Sequence, residues 1–119
     1  MDANTRAATA AIIRIIKKGR IIDKIEDRGR SKKISLSGTY SSSAIDIYDH
    51  SRNCHINASI SGHNISIHDH GTSKRITLEL SGNSFHGYDS GSSKPFSGQV
   101  SDSNVTIDDF EDGKHHNYS

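Results

Sequence analysis

From Leu36 onward, apolar and polar residues alternate, and the alternation itself recurs every 20 residues. Ile45, Ile65, Phe85 and Val105 share one phase, as do Tyr40, Ile60, Leu80 and Val100, and Leu36, Ile56, Ile76 and Phe96. Asp49, Asp69, Asp89 and Asp109 keep the same beat, with Ser41, Ser61, Ser81 and Ser101. Self-similarity at a fixed period marks a stacked or meandering repeat. In the clearest unit, Ile65 and Ile67 alternate with Ser66 and His68, and Ile76, Leu78 and Leu80 with Thr77 and Glu79. Each run reads as a half-buried strand. Gly71-Thr72-Ser73-Lys74 and Ser81-Gly82-Asn83-Ser84 are rich in turn-forming residues, and so is Ser51-Arg52-Asn53-Cys54.

With four-residue loops, Ile60 faces Ile65 and His70 faces Arg75, so partners lie on the same side of the sheet. That consistency favours an antiparallel meander of about eight strands. The alternative is a two-sided β-solenoid with a helical cap, which would stack the four aspartates at ~4.8 Å with few cations to offset them. Eight strands side by side span about 38 Å, whereas a 14-residue helix is about 21 Å long. The sheet must therefore curl around the helix or pair with a second copy. Gly87 and Gly98 stand at inward positions and are expected where the sheet bends or the helix approaches closely.

The helix precedes the repeat. Asn4 or Thr5 can cap it, and its body runs to about Lys18. Ala8, Ala11, Ile12, Ile15 and Ile16 form one stripe, and Gly19 suits the stop. Ile13 falls outside that stripe, so the helix is expected to bury most of its girth against the sheet or a second subunit. Ile21, Asp23 and Ile25 suggest a lead-in strand, followed by a polar loop at Asp27 to Lys33. The expected fold is α+β, mainly β, in a single domain over 1–119: helix 1–19, basic lead-in 20–35, β-repeat 36–119.

Composition sharpens this picture. Only 31% of residues are apolar and there is no Trp, so a core requires those few residues to point one way. The net charge of +1 conceals +6 over residues 1–35 and −5 over the remainder. Arg14, Lys17, Lys18, Arg20, Arg28, Arg30, Lys32 and Lys33 form a basic segment suited to nucleic acid or an acidic membrane, or to neutralising the acidic sheet. Cys54 is the single cysteine, excluding an intrachain disulfide, and reads as a loop residue. The start is not a signal peptide and no stretch approaches a membrane span, so the expected location is cytoplasmic.

The register sets the outward face. It places His50, His55 and His70 side by side, with His68 two residues from His70. His55, His68 and His70, with His50 as an alternative, have the donors to bind zinc or another divalent transition metal, leaving a fourth position for a water nucleophile. Asp46 and Asp69 are candidate outer partners, although Asp69 points to the opposite face. Tyr48, His50, His55, His68, His70 and Tyr88 together form a candidate binding face.

Two local patterns resemble known families. Tyr48-Asp49 and Tyr88-Asp89, with Gly62 and Gly82 between them, resemble the tyrosine–aspartate repeats of Rhs-type shell proteins. That resemblance implies hairpin sheets; His68-Asp69 and Asp108-Asp109 depart from it. Gly62 followed by His68-Asp69-His70 resembles the start of a cupin metal motif, with Lys74 or Arg75 where its Glu belongs and no second motif. No phosphate-binding loop, nucleophile elbow or cysteine cluster is present.

The expected function is a non-enzymatic interaction or assembly module, self-associating or presenting its polar Tyr/His face to a protein or carbohydrate partner. The alternatives are a metal-binding protein, as a hydrolase or otherwise, and nucleic-acid binding through the basic segment.

Overall fold

The computed structural model describes residues 1–119. One helix, α1 (Ala3–Lys18), is followed by ten strands: β1 (Lys24–Asp27), β2 (Lys32–Tyr40), β3 (Ala44–Asp49), β4 (Cys54–Ser61), β5 (Asn64–Asp69), β6 (Lys74–Ser81), β7 (Ser84–Asp89), β8 (Lys94–Val100), β9 (Val105–Asp109) and β10 (Lys114–Tyr118). Each strand pairs antiparallel with the next, and β1 pairs with β10 to close a barrel. The meander is thus correct and the solenoid is not. The strand count exceeds the expected eight because the basic lead-in supplies β1 and the start of β2. Closure also removes the need for a second copy, since the apolar face is covered within one chain. The consecutive strand order is that of an up-and-down barrel, not the jelly roll of cupins.

Inward positions carry Ile45, Ile47, Ile56, Ile65, Ile67, Ile76, Phe96 and Ile107, each at most 3% exposed. The helix fills the lumen. Ala7, Ala10, Ala11, Ile12, Ile13 and Ile15 are fully buried, so both the stripe and its opposite side meet the barrel wall. The alanines keep the helix slim enough to be surrounded. Asp2, rather than Asn4 or Thr5, caps it by accepting the Thr5 N–H. Gly19, at φ 70°, ends it by donating its N–H to the Ile15 carbonyl.

The turns differ between the two ends of the barrel. Ser61 pairs with Asn64 around Gly62, whose φ of 61° suits the first central position of a tight hairpin. Ile60 faces Ile65 as expected. At the other end Asp69 pairs with Lys74, so the turn is His70–Ser73, one residue earlier than the composition indicates. His68, not His70, therefore faces Arg75. The Asp69 carboxylate starts this turn by accepting the Gly71 N–H. Ser73 ends it at φ 56°, matched by Asn53 and Ser93 in the equivalent turns. The two-residue offset preserves every side chain's face, which is why the inward and outward assignment survives it.

Gly87 and Gly98 owe their identity to strand and ring packing, not to the helix. Gly98 lies opposite Phe85, and Gly87 opposite Phe96. A Cβ at Gly98 would fall 1.9 Å from the Thr106 carbonyl oxygen and 2.6 Å from the Phe85 ring. Each phenylalanine fills the space that the facing glycine leaves open.

Candidate functional site

The outward face around β3, β4 and β5 collects most of the expected binding residues. Tyr48 faces His55 across β3 and β4, and Asn57 faces His68 across β4 and β5. The Tyr48 ring meets the His50 and His55 imidazoles edge-on, each at 4.9 Å between centroids. His68 and His70 lie against each other at 4.1 Å. Short polar neighbours orient the rings: His50 bonds the Ser37 hydroxyl at 2.8 Å, His55 lies 3.2 Å from an Asp46 carboxylate oxygen, and His70 bonds Asn57. Partial burial, then the adjacent His70 and Arg75, hold the His68 pKa below the usual imidazole range.

Tyr88 does not join this patch. It sits on β7, where it faces Thr77 and Pro95, four strands from Tyr48 and thus roughly 19 Å around the wall. There it borders an open groove of about 560 Å³ with Ser66, Thr77, Glu79 and His86.

The expected metal ligands His55, His68 and His70 are neighbours, but their donor atoms do not converge within 4.8 Å, and neither do sets including His50. The group that does converge is Asp109, Asp112 and His116. The Arg6 guanidinium already supplies positive charge there, 3.0 Å from Asp109 and 3.9 Å from Asp112. Among the expected outer carboxylates, Asp46 reaches His55, whereas Asp69 is wholly buried on the other side of the wall. Cys54 opens β4 instead of lying in a loop, and burial pushes its thiol pKa up.

Inside the barrel the repeated aspartates form a collar around the first turns of α1. Asp49, Asp69, Asp89 and Asp109 are each at most 3% exposed, and Asp27 joins them. Its spacing of 22 residues from Asp49 conceals it from a strict 20-residue count. Each carboxylate accepts a backbone N–H from its own turn: Arg30, Ser51, Gly71, Gly91 and Glu111 in order. Cations complete the collar. Arg30 reaches Asp27; Arg52 bridges Asp49 and Asp69 at 2.9 and 3.0 Å; Arg6 holds Asp109 and also donates to the Tyr118 hydroxyl. The Met1 ammonium lies 3.5 Å from Asp89 and 3.3 Å from Asp109. Burial alone would raise the Asp49 pKa, but hydrogen bonds from Ser51 and Arg52 outweigh it and bring the carboxyl below its ordinary value. The collar is a structural lock with every carboxylate satisfied.

The basic segment divides between the two ends of the barrel. Arg28 and Arg30 lie in the β1–β2 turn beside the collar, where Arg30 also donates to Asn4. Lys32 and Lys33 begin β2 at that same end. Arg14, Lys17, Lys18 and Arg20 lie at the opposite end, by the end of α1; Lys17 donates to the Gly82 carbonyl. No helix is long and apolar enough to cross a membrane.

Comparison with protein-family models, curated proteins and solved structures finds no significant match to this chain. What the protein does must be read from its own geometry.

Proposed function

We propose that this barrel is a non-enzymatic binding module that receives a protein or carbohydrate partner on the outer face of β3–β5. One observation carries this reading: Tyr48 is set between two imidazoles and continues into the His68–His70 pair, on a wall whose interior is packed with helix. An aromatic side chain held among fixed donors and acceptors suits both a sugar ring and a peptide surface, because it offers a large apolar area with a polar rim. The barrel wall supplies the rigidity, so binding orders few residues.

The test is a ligand panel of glycans and peptides read by nuclear magnetic resonance on isotope-labelled protein. Ligand-dependent shifts centred on Tyr48, His55 and His68 are expected, and Tyr48→Ala with His68→Ala should abolish them while leaving the fold intact. Which half of the panel gives those shifts separates sugar from peptide. Shifts confined to other strands, or unchanged binding by the double variant, would remove this face from consideration.

A further inference from the structure

The end of the barrel opposite the aspartate collar holds an open pocket of about 460 Å³. Arg14 and Lys18, one helical turn apart, reach it from α1, while Arg20 and Lys24 reach it from the connection into β1. Asp23 is the one acidic side chain on its wall. None of these four cations takes part in a salt bridge, in contrast to Arg6, Arg30 and Arg52. The Arg14 Nε is shielded from solvent and has no hydrogen-bond partner. That donor is itself out of reach of solvent, but it leaves Arg14 with no acceptor in the chain, so an anion at the part of the side chain that lines the pocket would meet an uncompensated guanidinium.

We infer that this pocket binds a small phosphate-bearing anion, with Arg14 as its innermost donor and Lys18, Arg20 and Lys24 closing around the charge. Planar guanidinium groups match phosphate oxygens through paired hydrogen bonds, and ammonium groups add charge without demanding one geometry. Burial lowers the Arg14 pKa with no opposing carboxylate contribution, so an anion entering the pocket meets a cation not yet neutralised by the protein. Because these four cations gather at one pocket while Lys17 is engaged by the Gly82 carbonyl and Arg28, Arg30, Lys32 and Lys33 lie at the other end, the arrangement suits a compact anion over a long polyanion. This site is separate from the β3–β5 face, so either assignment can fail without the other.

Titration calorimetry of the full chain with pyrophosphate tests the assignment. One saturable site is expected, weakening as salt is added. Arg14→Met and the exposed pair Arg20→Gln/Lys24→Gln should each weaken binding about tenfold or more, while Lys33→Gln at the opposite end leaves it unchanged. The exposed pair carries the test should Arg14→Met fail to fold. Absence of saturable binding tighter than about 1 mM, or equal affinity in the pocket variants, overturns the proposal. So does binding to anionic vesicles or single-stranded oligonucleotides that pyrophosphate does not displace.

Discussion

The two ends of this barrel treat buried charge in opposite ways. Around the first turns of the helix, five aspartates are withdrawn from water and each accepts a backbone N–H of its own turn, with Arg6, Arg30 and Arg52 among the cations that hold them. About 12 Å along the helix axis from Arg6, Arg14 is partly buried and forms no salt bridge. The pKa directions express the same contrast. Burial lowers Arg6, Arg52 and Arg14 alike, but Tyr118 and then Asp109 reverse the sign for Arg6, and Asp69 with Asp49 for Arg52. Arg14 stays lowered. One end uses charge to hold the fold together, and the other leaves charge available to something outside the chain.

The largest expected effect breaks the satisfied end. Arg52→Met leaves Asp49 and Asp69 buried without their shared cation, and removing one partner of such a pair costs about 3–5 kcal/mol. Urea unfolding should show a correspondingly lower midpoint; a loss near zero would mean that the turn N–H groups alone stabilise the collar. Tyr118→Phe is milder. It removes a buried hydroxyl that accepts from Arg6, at about 1–2 kcal/mol in the same assay.

Tyr118 also gives the collar an alkaline signature. Burial chiefly, opposed by Arg6 and helped by Asp27, pushes its pKa from 10.0 up to about 12. A group whose folded value is raised contributes stability below its unfolded value and loses it as the pH rises through the folded one. Stability should therefore fall between about pH 10 and 12, and Tyr118→Phe should flatten that limb in pH-dependent unfolding. The acid limb has the opposite sign. Asp49 lies below its ordinary 3.8, so its contribution is present above that pH and fades as pH drops through the folded value. Asp49→Asn should make the acid slope shallower, and an unchanged slope would assign acid sensitivity to other carboxylates.

The smallest effect sharpens the contrast most. Arg14→Met removes a charge that nothing in the chain satisfies, so its thermal midpoint should stay level or rise, by no more than about 1 kcal/mol of stability. Two arginine-to-methionine changes, at Arg52 and Arg14, should thus have very different consequences. Comparable losses at both ends would show that Arg14 is structural too.

Much of the architecture was legible because the side-chain period of a strand is two and the repeat keeps one phase. The inward set Ile45, Ile65 and Phe85 and the outward set His55 and His68 follow from that alternation alone. The αL stop at Gly19 was equally plain, because few other residues tolerate that conformation. Turn position was less so. His70 fell in a turn instead of a strand because the Asp69 side chain, not the composition of the loop, decides where the chain reverses.

The amino-acid sequence by itself determined which residues face inward, that the chain folds back at a fixed interval, and that one helix accompanies a repeated sheet. These are local matters of backbone geometry and side-chain parity. Only the tertiary structure decided that β1 closes on β10, that Asp27 joins the four periodic aspartates, and that the basic segment is split between opposite ends. Those outcomes depend on strand tilt, ring closure and the direction of a helix threaded through a barrel, none of which leaves a periodic trace along the chain.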